Sequence, residues 1–320
     1  MAKQVKVATR KRAAAKPRSP QVGAGELATL LDFVRYAVSR FNASDVVFAH
    51  GTTDAVAEAA FIVTETLHLH PDQFEMFATA RVTKHESAAI LKLIEQRIST
   101  RKPAAYLLNK IYMRGVPFYV DERVIVPRSF IGELLESHFD GGDASLIDDP
   151  AEVTRVLDLC TGSGCLAILA ARAFPYADVD AVELSKDAFA VAGRNVADHG
   201  LDDRITLHRG DLFGPLKGAR YDLIISNPPY VGAEGMASLP RECRHEPAMA
   251  FDGGEDGLDI VRRILREAKR HLAPHGGLLC EIGRGREVIE AAFPDLPFLW
   301  LDTEESEGEV FWLPAEALPA

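Results

Sequence analysis

Asn227-Pro228-Pro229-Tyr230 follows directly on the apolar run Tyr221-Asp-Leu-Ile-Ile-Ser226. At ordinary residue frequencies this tetrapeptide arises by chance about once in a thousand chains of this size. Pro229 forces Pro228 into an extended conformation, and neither proline has an N–H to donate. The loop therefore presents acceptors: the Asn227 side-chain oxygen and the Pro228 carbonyl. Two acceptors at that spacing suit one planar NH₂ group, and Tyr230 adds a flat face for a conjugated substrate and a nearby cation. Read without function, the same residues are an Asn-Pro turn with a buried tyrosine. An amide or aryl amine nitrogen is a poor nucleophile because its lone pair is delocalised into the π system. Accepting both of its protons localises that pair, and attack on an electrophilic methyl then depends mainly on alignment and oriented dipoles.

A second constellation bears on what supplies the methyl. Asp158-Leu-Cys160-Thr161-Gly162-Ser163-Gly164 sits at a strand-to-helix junction, where glycine permits the tight turn and close approach of a ligand to the main chain. The helix that follows at once turns free N–H groups toward an anionic group. Glu183, 19 residues beyond Gly164, ends the next strand, where a carboxylate can take both hydroxyls of a ribose. Asp211, after the third strand, can accept from an adenine amine. The sulfonium of S-adenosylmethionine joins these requirements to the clamp. Gly162-x-Gly164-x-x-Ala167 also satisfies the dinucleotide fingerprint, so a nicotinamide enzyme stays open at this point.

The elements that must position these residues follow from periodicity. Helices are predicted over Glu26–Arg40 (stripe Leu27, Leu30, Leu31, Val34, Ala37), Thr53–Leu69 (Val56, Ala59, Ala60, Val63, Leu67) and Lys84–Ile98 (Ala88, Leu91, Ile94, Ile98). Ala105–Leu108, Ile111–Met113 and Pro117–Val120 read as short β-type runs, broken by the turn signal Arg114-Gly115. After Arg155, strands and helices alternate. Strands are predicted at Arg155–Leu159, Val179–Glu183, Ile205–Arg209, Tyr221–Ser226, Gly277–Ile282, Pro297–Leu301 and Val310–Leu313, and helices at Cys165–Ala173, Lys186–His199, Leu258–Leu272 and Arg286–Ala292. The pattern implies an α/β fold, a doubly wound seven-stranded sheet whose final strand inserts antiparallel, with ligands at the carboxyl ends. The division expected is a disordered basic tail over 1–23, a helical domain over 24–102, a β-hairpin linker over 103–127 and the sheet domain over 128–320.

Charge and cysteine content narrow the function classes. Residues 1–20 carry seven Lys and Arg and no acid, so the formal −11 of the 320-residue chain leaves −18 on the rest. An acidic body does not grip nucleic acid over a broad face, although the tail could touch RNA phosphates weakly. The four cysteines contain no C-x-x-C pair, which points to neither zinc nor disulfides and suits a reducing cytosol. No apolar stretch is long enough to span a membrane, and no secretory leader is read at the start, so a cytoplasmic location is expected.

Together, the glycine loop, Glu183, Asp211 and Asn227-Pro-Pro-Tyr230 resemble class I S-adenosylmethionine-dependent methyltransferases of amino groups, most nearly the HemK/PrmB-type protein glutamine N(5)-methyltransferases. The likeness extends to Lys102–Leu108, Pro117–Arg128 and His245-Glu-Pro-x-x-Ala-Phe-x-Gly-Gly-x-Asp-Gly257, about residues 25–315 in all. Pro127-Arg-Ser-Phe-Ile-Gly-Glu133 and the Asp158-Leu-Cys-Thr-Gly162 variant are similar to the branch acting on large-subunit ribosomal protein three, rather than the release-factor branch with its P-R-P-E-T-E. The resemblance implies catalysis by Asn227, Pro228 and Tyr230. It implies S-adenosylmethionine held by Asp158, Cys160, Thr161, Gly162, Ser163, Gly164, Glu183, Leu184, Asp211, Leu212 and Asn227. Substrate would be held by Asn227, Pro228, Pro229, Tyr230, Phe251, Gly253 and Gly254, with the last two as hinges of a flexible loop and the helical domain recognising the protein partner. No metal is expected. Arg128 would either neutralise the donor's carboxylate or anchor the interdomain corner, and His245 would fix a loop rather than act as a base. A release-factor glutamine methyltransferase, a DNA or RNA adenine methyltransferase, a nicotinamide oxidoreductase and a non-catalytic ribosome-assembly factor remain the alternatives.

Overall fold

The computed structural model describes residues 25–319 apart from Asp140, Asp143, Ala144 and Asp148. The basic tail and its RNA contact, expected over 1–23, lie outside the described residues. Helix α1 (Leu30–Asn42) starts at a capping box: Thr29 Oγ1 accepts from the Asp32 N–H, and the Asp32 carboxylate accepts from the Thr29 N–H. Its start is therefore Leu30 rather than Glu26. It buries Leu30, Phe33, Val34, Ala37 and Phe41, while Leu31, expected in the stripe, is half exposed. The two phenylalanines carry more apolar area than Leu31 and set the buried face. Helix α2 (Ala55–Thr66), capped by Asp54, likewise buries Ala59, Ile62 and Val63 and leaves Val56 exposed. A single turn, α3 (Phe74–Phe77), precedes α4 (Lys84–Thr100), which buries Ile90, Ile94 and Arg97.

The run expected as β-type at Ala105–Leu108 is instead the short helix α5 (Ala104–Leu108), closed by Asn109 in the left-handed conformation at φ 53°. A five-residue apolar run holds too few positions to separate a period of two from one of 3.6. Strands β1 (Ile111–Met113) and β2 (Val116–Phe118) form the expected hairpin. Arg114 and Gly115 both have positive φ (50° and 72°), the twist that a two-residue hairpin turn requires. Helix α6 (Ile131–Ser137), unforeseen from the sequence, buries Ile131, Leu134 and Leu135.

The large sheet comprises β3 (Arg155–Leu159), β4 (Asp178–Glu183), β5 (Ile205–Arg209), β6 (Tyr221–Ser226), β7 (Leu272–Glu281), β8 (Leu299–Leu301) and β9 (Val310–Pro314). Their order is β5-β4-β3-β6-β7-β9-β8, with β9 antiparallel to both neighbours, which is the class I methyltransferase sheet. Helices α7 (Cys165–Ala173), α8 (Lys186–Asp198), α10 (Asp259–His271) and α11 (Arg286–Ala292) flank it, and a short α9 (Ala233–Ser238) follows β6. Strand residues alternate between two cores. Val156, Leu223 and Ile225 pack with α7 and the helical region, and Leu157, Leu159 and Ile224 pack with α10. Burial on both faces explains why these strands read as nearly continuous apolar runs. Among the described residues no helix is long and apolar enough to cross a membrane.

Gly277 lies where β7 passes Trp312 on β9; a Cβ there would come within 2.2 Å of the indole. Trp312 is in turn wedged edge-on to Phe139, with ring centroids 5.9 Å apart. We expect Gly277→Ala to cost about 1–3 kcal/mol through overpacking, seen as a lower urea midpoint with an unchanged slope. An unchanged midpoint would mean that the indole moves freely and the packing there is loose.

Candidate active site

The chain leaves β3 for β4 and β5 on one side, then returns to place β6 on the other, so the sheet reverses direction between the ends of β3 and β6. Ligands of open α/β sheets bind at such a point. The turn after β3 carries Cys160, Gly162 and Gly164 at positive φ (60°, 58° and 81°), and the Glu183 carboxylate braces it by accepting from Gly162 N at 2.9 Å and Ser185 N at 2.7 Å. Burial raises the Glu183 pKa in spite of these bonds. Asp158 is buried beneath the turn, accepts from the Thr161 hydroxyl, and is pushed up to about 7 by desolvation.

A cavity of about 300 Å³ opens beside this turn. Cys160, Gly162, Glu183, Leu184, Asp211, Leu212, Asn227 and Pro229 line it, uniting most of the residues expected around the donor. Asp211 pairs with Arg263 at 2.8 Å, a partner that no spacing pattern points to. Arg123–Ile125 and Met249–Ala250 line it as well, also unforeseen: they lie far away in sequence and carry no spacing signal. A second cavity of about 300 Å³ adjoins it and is lined by Thr161, Ser163, Pro228, Tyr230 and Phe251. Cys160, Gly162, Ile125, Asn227 and Ala250 line both, so the two spaces meet at Asn227.

Four expected site residues lie outside both cavities. Asp158 supports the turn from below, and Gly164 packs against Ala192, 3.4 Å from where its Cβ would be. Gly253 is tied by its N–H to the Val231 carbonyl, and a Cβ there would meet the Gly257 carbonyl oxygen at 2.5 Å. Gly254, at φ 91°, packs on the Asp259 side chain.

Asn227 Nδ2 donates to the Arg128 carbonyl at 3.0 Å. A carbonyl can only accept, so the amide nitrogen must face it and Oδ1 must point the other way. Tyr230 OH donates to Glu281 Oε1 at 3.3 Å, and its ring lies on Gly283, where a Cβ would come within 2.7 Å. The Arg128 guanidinium stands over Phe251, 5.6 Å from the ring centroid.

The methyltransferase small domain family matches residues 135–239. A ribosomal protein uL3 glutamine methyltransferase of Bradyrhizobium diazoefficiens is 70% identical over 320 residues, covering 99% of this chain and 100% of that protein. One from Bordetella pertussis is 54% identical over 293 residues, covering 92% of this chain and 97% of that protein. This chain belongs to the ribosomal protein uL3 glutamine methyltransferase family. Membership of that family sets aside the nicotinamide reading that the glycine pattern alone left open.

In this member of the uL3 glutamine methyltransferase family, the segment after Tyr230 is bolted to the helical region. Glu242 Oε1 accepts from Arg101 Nε at 2.7 Å, Val47 N at 3.0 Å and Arg97 at 3.4 Å, and Arg97 also reaches Glu58 at 2.6 Å. Two buried cations meet two buried carboxylates, the balance that makes such burial tolerable. His245 Nε2 contacts the Thr100 carbonyl at 3.1 Å. Arg128 pairs with Glu246 at 3.2 Å and also lines the second cavity. His50, Cys243 and Glu246 bring ligating atoms within 4.8 Å of one another. Both Glu246 oxygens, however, already accept hydrogen bonds from protein groups, Arg128 among them.

Glu281 is buried and accepts from Ser129 Oγ at 2.7 Å, Phe130 N at 3.0 Å and Tyr230 OH; desolvation pushes it up to about 7. The folded state thus keeps a proton that an unfolded glutamate loses near its ordinary value of 4.5. Stability from this group is present below that value and is lost as pH rises toward 7. Denaturant titrations of Glu281→Gln and the unaltered protein should therefore shift in the variant's favour between pH 5 and pH 8. Parallel stabilities across that range would refute the buried-proton assignment.

Proposed function

We propose that this protein transfers the methyl group of S-adenosylmethionine to the side-chain amide nitrogen of a glutamine in large-subunit ribosomal protein uL3. The observation that carries the reading is the Asn227 Nδ2 bond to the Arg128 carbonyl, which leaves Oδ1 as an acceptor where the two cavities meet. The donor fits the first cavity. Glu183 has lone pairs left for ribose hydroxyls, Asp211 can accept from the adenine amine, and Leu184 and Leu212 offer apolar contact. The sulfonium supplies an electrophilic methyl. The glutamine enters the second cavity, where Asn227 Oδ1 and the Pro228 carbonyl accept its two N–H protons while Tyr230 and Phe251 flank it.

Holding both protons localises the nitrogen lone pair and aims it at the methyl. The N–C bond forms as the S–C bond breaks, and the N-methylated cation loses a proton to water. An N-protonated amide is acidic enough to need no base, in keeping with His245 being engaged at the Thr100 carbonyl. Rate enhancement comes from orientation and fixed dipoles.

Mass spectrometry of uL3 incubated with the purified protein and S-adenosylmethionine should find one glutamine heavier by a methylene, with release factors unmodified. Asn227→Ala should lower the rate by roughly 10²–10³, with affinity for S-adenosylhomocysteine nearly retained. A variant as active as the parent would contradict the clamp.

A further inference from the structure

The Asn227 clamp depends on where the Arg128 carbonyl sits, and that carbonyl belongs to a segment outside any helix or strand, held mainly by side chains. Glu246 Oε1 accepts from Val126 N at 2.9 Å and Arg128 Nη1 at 3.3 Å, and Oε2 accepts from Arg128 Nη2 at 3.2 Å. The same Oε2 lies 3.1 Å from His50 Nε2. Pro127 between the two anchored residues has a fixed φ and no N–H of its own. Holding Val126 and Arg128 therefore fixes the orientation of the intervening peptides and of the Arg128 carbonyl. We propose that Glu246, steadied by His50, is a positioning residue for Asn227: it fixes the Val126–Arg128 backbone whose carbonyl orients the Asn227 carboxamide.

Three further observations support this chain of contacts. The Glu246 side chain is fully buried, and burial alone would raise its pKa, but hydrogen bonds from His50 and the charge of Arg128 outweigh that and hold it low. An ionised carboxylate with several donors is a stiff anchor. The other end of the segment is gripped independently, since Glu281 accepts from Ser129 Oγ and Phe130 N. Finally, His50 precedes α2 in the helical region, so a residue of that region reaches the acceptor site through Glu246, Arg128 and Asn227 in turn. Loss of the His50 contact should leave both cavities present and disturb only the aim of Asn227.

The kinetic part of this inference rests on the proposed glutamine methylation; its structural part does not. The test compares His50→Leu, which removes the donor, with His50→Gln, which can restore an N–H to Glu246, alongside Glu246→Ala. We expect His50→Leu to lower kcat on uL3 by roughly 10- to 100-fold, the scale of a misaligned reacting pair. KM for uL3 and the Kd for S-adenosylhomocysteine should stay within about twofold of the parent, and His50→Gln should recover most of the lost kcat. Hydrogen exchange at the Val126 amide should quicken at least about tenfold in Glu246→Ala. Should that variant fail to fold, the His50 pair decides alone. A raised KM with kcat intact would overturn the proposal in favour of a docking role, as would equal loss in His50→Leu and His50→Gln. An unmethylated uL3 with the parent protein would sink the function while the Val126 exchange still tests the anchor; unchanged exchange would overturn it.

Discussion

One hydrogen bond, from Asn227 Nδ2 to the Arg128 carbonyl, decides which atom of the Asn227 carboxamide stays free in the loop after β6. A carboxamide can turn over at little cost in open solvent, and turned over it would offer donors where an NH₂ group needs acceptors. The main-chain carbonyl removes that freedom. Every other feature of the site is arranged around this choice. The sheet brings the ends of β3 and β6 together, the glycine turn leaves space for a donor, and the prolines withhold N–H groups that would compete.

Rigidity at this point is costly, and it comes from buried carboxyl groups, charged at Glu242 and Glu246 and protonated at Glu281. Glu246 and Glu281 grip opposite ends of residues 126–130, and Glu242 ties the neighbouring loop to Arg97 and Arg101. Such pairs contribute little net stability compared with apolar packing, because desolvation offsets most of the attraction. Their value lies in geometry: a carboxylate accepting three or four bonds admits few alternative arrangements. The helical region takes part in that geometry through His50, Arg97 and Arg101, so it does more than lean on the sheet.

The parallel strands and their helices were legible in the sequence because they are buried on both faces and the apolar runs are long. The clamp and the glycine turn were legible because their residue types are rare in combination. Helix faces were less so: Leu31 and Val56 fit the period but point outward, since Thr29 and Asp54 fix where each helix begins and larger side chains take the interior. Ala105–Leu108 was too short for its period to be read. The lining of the first cavity by Arg123–Ile125 and Met249–Ala250, and the pairs Asp211–Arg263 and His50–Glu246, are contacts between distant segments, which no spacing rule encodes.

The most direct measurement is a structure of the protein with S-adenosylhomocysteine and a glutamine-bearing uL3 peptide. The account requires the glutamine nitrogen to lie about 2.7–3.2 Å from both Asn227 Oδ1 and the Pro228 carbonyl oxygen, with Asn227 Nδ2 still on the Arg128 carbonyl. A glutamine seated elsewhere, or an Asn227 amide reversed to present its nitrogen, would contradict it.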